Sequence, residues 1–354
     1  MESGIRAQVL TRVGPESTRE LHMIADTILQ SMGIVVLTGA GISTNAGIPA
    51  NPPASPVGFD LYHTAALSSK ANRPSFLSYY TRLRQFAKER EVTPTHLFIR
   101  ELCRRGQLIR NYTQNIDDLE RKAGLNTDLQ YGAGTRRGER GIECVQLHGS
   151  LRFLRRSYCN MQTSWDEYGR EAATLSGQQP ACSRCSSISM ARVANNKRAS
   201  NPGTLRPNIV LYDEVHPWAN ETTEIYEYDL TYGNPNILLI LGTRLRISGV
   251  KATVKKFART VHEKGGLVIY VNLTCSKAKE WNGVIDYWIE WDCDSWVEQL
   301  MRQNPKWQSS ISKVKKSSRE DTEILNNYAL IPSKIRRRGQ RSGSTAEFPI
   351  DLTC

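Results

Sequence analysis

Ile34-Val35-Val36-Leu37-Thr38-Gly39-Ala40-Gly41-Ile42-Ser43 is the stretch on which the fold of this chain turns. Its first four residues are apolar and mostly β-branched, with no polar alternation. That pattern predicts a short strand covered on both faces, as in a parallel sheet. Glycines placed directly after such a strand let the backbone turn tightly and come close to a phosphate. A residue without Cβ tolerates positive φ and leaves its amide uncovered. The common dinucleotide fingerprint is G-x-G-x-x-G, and here the next glycine after Gly41 comes only at Gly47. Taken alone, the loop suits an unliganded turn as well as a dinucleotide seat.

Working outward, the same alternation of helix and strand recurs. Leu21, Ile24, Ile28 and Leu29 predict a helix over Ser17–Met32, closed by Gly33. Helical spacing returns over Ser75–Arg90, Pro94–Arg105, Gly249–Glu263 and Ser295–Gln303. Short apolar runs predict strands at Leu108–Tyr112, Glu143–Leu147, Asn208–Tyr212, Ile237–Leu241, Leu267–Val271 and Ile285–Trp291. Strands alternating with helices imply an α/β fold, a Rossmann-like doubly wound parallel sheet. Residues 155–207 are polar, rich in Ser, Asn and Arg, and poor in core formers. They are expected to form a small inserted cysteine-containing module, zinc-ribbon-like. The main domain would then comprise residues 16–154 and 208–303, with an extension over 1–15 and a basic, disordered tail over 304–354.

Composition narrows the class. The chain has 354 residues, 39% hydrophobic and 23% charged, in the range of a globular enzyme. It holds no run of about 18 apolar residues, so a membrane span is not expected. Met1–Gly14 lacks the apolar stretch of a secretory signal, so the chain is expected to stay inside the cell. Disulfides are then a poor explanation for its eight cysteines. The formal charge is +12, concentrated partly in Lys313–Lys316 and Lys334–Arg338. Such runs are solvated tails in one reading, and nuclear import or nucleic-acid contact in the other.

Three further blocks identify a relative. Gly39-Ala40-Gly41-Ile42-Ser43 with Gly47-Ile48-Pro49, then Thr113-Gln114-Asn115-Ile116-Asp117, then Leu147-His148-Gly149, follow one another in order. Together they resemble the signature blocks of the sirtuins, the NAD-dependent protein-lysine deacylases of the silent-information-regulator type. Arg206–Val210 with Glu214, Gly242-Thr243 and Val271–Leu273 agree with this, and the resemblance covers about residues 33–300. The texture of Asn111–Glu120 and of Trp165–Ala173 looks most like fungal nuclear sirtuins that act on histones.

The resemblance implies NAD as cofactor, an acetylated protein (histone tails or core) as substrate, chromatin as a site of association through the basic tail, and the nucleus as location. It assigns general-base chemistry on a ribose hydroxyl to His148, a role suited to imidazole because its ordinary pKa of about 6.5 leaves it largely neutral near pH 7. It places Gly39, Ala40, Gly41, Ser43, Gln114, Asn115, Asp117, Gly242, Thr243, Asn272 and Cys293 at the cofactor. Each of several residues also has a plainer reading. His148 could be structural at a strand end, Asn115 and Asp117 could cap a helix beginning near Ile116, and Thr243 could be turn chemistry. For zinc the resemblance requires two thiolate pairs. Cys182 and Cys185 supply one pair, Cys159 half of the other, and Arg156 stands where the fourth ligand belongs; the three cysteines could still hold zinc with a water or a distant side chain at lower affinity, and the alternative is a loop with free thiols.

One departure stands out. Sirtuins continue after the proline corresponding to Pro49 with Asp-Phe-Arg-Ser, and this chain reads Ala50-Asn51-Pro52-Pro53-Ala54-Ser55. A guanidinium able to hold phosphate or ribose oxygens is therefore missing there. Three functions follow as expectations: an active NAD-dependent deacetylase, a degenerate sirtuin that binds NAD or ADP-ribose with little turnover, and an unrelated Rossmann oxidoreductase. The last lacks both a visible hydride-transfer site and the usual third glycine.

Overall fold

The computed structural model describes residues 9–50, 61–134, 141–156, 161–200, 203–275 and 277–303. The chain opens with β1 (Thr11–Val13), α1 (Thr18–Gln30) and β2 (Ile34–Thr38), and then the two glycine-loop turns Ala40–Ile42 and Thr44–Ala46. Next come α2 (Thr64–Ser68), α3 (Arg73–Lys88), α4 (Pro94–Arg104), β3 (Leu108–Thr113), α5 (Leu119–Lys122) and β4 (Cys144–Gln146). A smaller group follows: β5 (Gly149–Arg156), β6 (Gln162–Thr163), α6 (Arg170–Leu175), α7 (Ser183–Ala194) and β7 (Leu205–Ile209). The chain then returns to the large sheet through α8 (Ala219–Thr231), β8 (Ile237–Leu241), α9 (Ser248–His262), β9 (Leu267–Val271), β10 (Tyr287–Ile289) and α10 (Cys293–Arg302).

The large sheet has the order β1-β10-β9-β8-β2-β3-β4, and every pair in it is parallel. The apolar runs explain why both its faces are covered. Side chains alternate across a strand, so Ile34 and Val36 enter one core while Val35 and Leu37 enter the other. Ile237, Leu239 and Leu241 likewise split from Leu238 and Ile240. One face packs against α1, α4 and α10 through Ile24, Phe98, Leu102, Trp296 and Leu300. The other packs against α8 and α9 through Tyr226, Val254, Phe257 and Val261. The Rossmann-like α/β reading of the sequence is therefore correct.

Chain order reverses between β2 and β8: from β2 the chain builds outward to β3 and β4, and from β8 outward to β9 and β10. That reversal leaves a crevice at the carboxyl ends of the two strands, where open α/β sheets receive ligands. The glycine loop after β2 and Gly242-Thr243 after β8 both lie there.

The second sheet is antiparallel, in the order β6-β5-β7. Its strand β7 starts three residues before the expected Asn208 and contains Pro207. Pro207 is tolerated because β7 is an edge strand, where a missing amide breaks no ladder. The polar stretch 155–207 also builds more order than its composition promised. Leu154, Trp165, Cys182, Cys185 and Leu205 form a small core of their own, and the Arg84 guanidinium on α3 pairs with Asp166 and Glu171. Helix α8 escaped the sequence reading because two of its five buried residues, Thr222 and Asp229, are polar. Asp229 is paid for by Arg110, which binds it at 2.7 and 2.9 Å, and by the Tyr112 hydroxyl at 2.7 Å. No helix among the described residues is long and apolar enough to cross a membrane.

Candidate functional site

The two loops at the strand-order reversal touch. Gly41 donates its amide to the Gly242 carbonyl at 2.7 Å, and Gly39 donates to Leu241 at 3.0 Å. A Cβ on Gly41 would stand 2.7 Å from both the Cα and the carbonyl oxygen of Gly242. Gly242 itself has φ 63°, a left-handed conformation that disfavours a side chain. The glycines thus serve close approach of two loops. Their amides are spent on protein carbonyls rather than left bare, which corrects the expectation of uncovered N–H groups. A Cβ at Gly39 would meet Thr243 Cβ at 2.7 Å, so the same cradle closes around the buried Thr243.

The end of β3 brings polar side chains to the crevice. Gln114 donates its amide hydrogens to Thr243 Oγ1 at 2.9 Å and to the Thr38 carbonyl at 3.3 Å. Asn115 Nδ2 points to Ser43 Oγ at 3.4 Å. Asp117 accepts the Leu119 amide at 3.0 Å, just before the N-cap Asp118 of α5, which begins three residues after the Ile116 expected from sequence. Burial raises the Asp117 pKa, against a hydrogen bond from Ser43 that lowers it. Ser43, Gln114, Asn115, Asp117 and Thr243 therefore form one connected group with the glycine loop.

His148 sits between β4 and β5. Its Nδ1 lies 2.9 Å from the Gln114 carbonyl, and since a carbonyl only accepts, Nδ1 carries the proton. Nε2 is then left with its lone pair, as a general base requires. Burial lowers the His148 pKa, with the Gln114 contact opposing, so the neutral ring is favoured. The His148 carbonyl accepts the Val210 amide at 2.9 Å, which pins the histidine to the chain leaving β7. Buried His216 was not singled out from sequence. It accepts the Trp218 amide at 3.2 Å, and its pKa falls to about 4, mainly through burial and partly through repulsion by His148.

Asn272 and Cys293 lie further along the sheet edge. The Asn272 side chain donates to the Thr274 carbonyl at 2.6 Å, and its own carbonyl receives Trp288 Nε1 at 2.9 Å. Cys293 is the buried first residue of α10; its thiol faces the Val271 carbonyl at 3.6 Å and its pKa is pushed up by burial. Both follow β9 in space. The Cys293 thiol is also hydrogen-bonded to the Gly242 backbone, which joins it to the glycine cradle.

For zinc, Cys182 and Cys185 are both buried in the small core, and Cys159 lies outside the described residues. Arg156 does not merely replace a thiolate: its guanidinium rests on the Cys185 sulfur. A permanent cation at that sulfur opposes a divalent cation there. No group of three metal-binding side chains occurs among the described residues, which do not include Cys159. Residues 51–60, which include the departure after Pro49, and the basic runs of the tail also lie outside the described residues.

Comparison with known proteins follows the same residues. The model of the Sir2 family matches residues 39–249. The NAD-dependent histone deacetylase HST3 of Saccharomyces cerevisiae is 35% identical over 328 residues, covering 86% of this chain and 73% of the relative. The NAD-dependent protein deacetylase hst4 of Schizosaccharomyces pombe is 28% identical, covering 87% and 77%. Among solved structures, the crystal structure of a Sir2 homolog–NAD complex has the same fold. Its TM-score is 0.58 at 20% identity, with 84% of this chain and 94% of that one covered. The chain belongs to the Sir2 family.

Proposed function

We propose that this chain is an NAD-dependent protein-lysine deacetylase acting on acetylated histones, with the nucleus as its location. The observation that carries the reading is the His148 ring, held by the Gln114 carbonyl in the tautomer that leaves Nε2 free to take a proton. The cradle of Gly39, Gly41 and Gly242 suits NAD, because it brings two main chains together where any Cβ would intrude. Gln114, Asn115 and Asp117 would hold the nicotinamide and ribose side, Ser43 and Thr243 the phosphate side, and Asn272 with Cys293 the adenosine side. When bound, NAD supplies the ribose carbon that takes the acyl oxygen as nicotinamide leaves. The chain's own residues orient the ribose, exclude water and accept a proton at His148 Nε2. Zinc on Cys159, Cys182 and Cys185 enters no step of this reading.

Incubation with NAD and an acetylated histone peptide tests it. Release of nicotinamide that His148→Ala abolishes supports the deacetylase. A second reading is favoured by the missing Asp-Phe-Arg after Pro49: NAD or ADP-ribose binding with little turnover. NAD binding without nicotinamide release would establish that reading in place of the first. Chromatin association through the basic tail is tested separately, by comparing nucleosome binding of the full chain with Lys313–Lys316 and Lys334–Arg338 neutralised.

A further inference from the structure

Glu120 is the second residue of α5, a position at which a glutamate on an ordinary helix meets water. Here it is 1% exposed. Its Oε1 accepts the hydroxyl of Thr113 at the end of β3, and it lies 3.5 Å from the hydroxyl of Thr38 at the end of β2, whose single proton it shares with Asn111 Oδ1 at 3.4 Å. Its Oε2 is buried with no hydrogen-bond partner. The chain reaches this arrangement through Asp118, whose left-handed φ of 69° turns the backbone between β3 and α5.

The contact continues into the site. The Thr113 hydroxyl has one proton and gives it to Glu120, so its lone pairs face the other way, and there it accepts the Asn115 amide at 3.1 Å. Thr38 is held from both ends, its hydroxyl within 3.5 Å of Glu120 and its carbonyl accepting the Gln114 amide at 3.0 Å. We propose that Glu120 is a positioning residue of the cofactor site: its buried carboxyl orients the Thr113 and Thr38 hydroxyls and thereby fixes the main chain at Gln114 and Asn115. This rests on the reading of Gln114 and Asn115 as cofactor-side residues.

The surroundings say which form of the carboxyl does this. Asp117 and Asp118 lie on the same turn, and Cys144 faces it from β4 with its thiol pushed up in pKa. From β3, Asn111 contributes a neutral amide, bonded to Thr38 and Cys144. From α4, which packs on α5, comes the ring of His96. It bonds to Thr93 and is kept neutral by burial, which pushes its pKa down to about 3. Arg121, the adjacent cation, is paired with Asp118 instead. Burial first, and the Asp117 charge second, raise the Glu120 pKa to about 8. Below that pH burial holds the group as a neutral acid; above it, a carboxylate forms that Asp117 repels, and Arg121 stays paired with Asp118.

The test is NAD affinity between pH 7 and 9 for the wild-type chain, Glu120→Gln and Glu120→Ala, with melting temperature measured alongside. If the ionised form does not bind, wild-type affinity falls about tenfold one pH unit above the midpoint. Glu120→Gln keeps the shape and removes the titration, so its affinity stays within about twofold over the same range and exceeds that of Glu120→Ala. A purely structural glutamate would move the melting temperature without flattening the pH profile. An alkaline loss in Glu120→Gln equal to that of the wild type overturns the proposal, as does wild-type affinity in a folded Glu120→Ala. If Glu120→Ala does not fold, the profile of Glu120→Gln decides alone. A wild-type chain that binds no NAD at any pH refutes the cofactor-site reading itself.

Discussion

Gly41→Ala puts one methyl group where two loops meet. The new Cβ would stand 2.7 Å from Gly242 Cα, 2.7 Å from its carbonyl oxygen and 3.0 Å from its carbonyl carbon. Ordinary contact begins near 3.4 Å, so the loops must part by about 0.7 Å, and every atom in the way is backbone. Overpacking of this kind costs about 1–3 kcal/mol. If the cost falls on the cofactor-bound geometry, NAD affinity drops roughly 5- to 150-fold, at about 1.4 kcal/mol per factor of ten. Titration calorimetry with NAD, together with thermal melting, measures both halves of that cost. Gly265→Ala is the control. Gly265 also has positive φ, 68°, but open space around its missing Cβ, and it lies at the opposite edge of the sheet before β9. It should lower the melting temperature and leave NAD affinity alone. Unchanged affinity and stability in Gly41→Ala would refute the close-approach argument. A fall in stability with unchanged affinity would show that the loop is not the cofactor seat.

Other outcomes follow from the same geometry. His148 has a lowered pKa through burial, so its base-competent neutral form persists to lower pH. The acid limb of kcat/KM should therefore have its midpoint below about 6.5, the ordinary imidazole value; a midpoint above that value contradicts the assignment. Asp229→Ala leaves the buried Arg110 guanidinium and the Tyr112 hydroxyl without their shared carboxylate. Urea unfolding should show a loss of about 3–5 kcal/mol, and a loss under about 1 kcal/mol would mean that the pair is not isolated from water. Elemental analysis of the purified chain should find well under one zinc per chain, because the Arg156 guanidinium lies on the Cys185 sulfur. One equivalent, removed by a chelator with loss of stability, would reverse that conclusion.

The parallel sheet could be read directly, because a strand buried on both faces must be apolar at every position. Ile34–Leu37 and Ile237–Leu241 obey that rule without exception, and their side chains do divide between the two cores. The family could be read as well, since its blocks at Gly39, Gln114 and His148 are contiguous in sequence. Less legible were elements whose buried faces carry polar residues. Helix α8 hides Asp229, which becomes tolerable only beside Arg110, 119 residues away in the chain. Strand β7 accepts Pro207 only because it lies at a sheet edge, and residue order does not reveal which strands are edges.

The sequence by itself determined that a strand ends in Gly-Ala-Gly, that His148 precedes a glycine, and that Arg156 stands in place of a cysteine. These are local facts of residue type and spacing. Tertiary structure alone decided that Gly41 and Gly242 touch, that the Gln114 carbonyl selects the His148 tautomer, and that Glu120 faces inward at a helix start. Each of these depends on distance between segments far apart in the chain, and on a burial that changes the charge state of a side chain. A glutamate written in the sequence is a carboxylate by default; only its enclosure beneath β2, β3 and β4 makes it an acid near neutral pH.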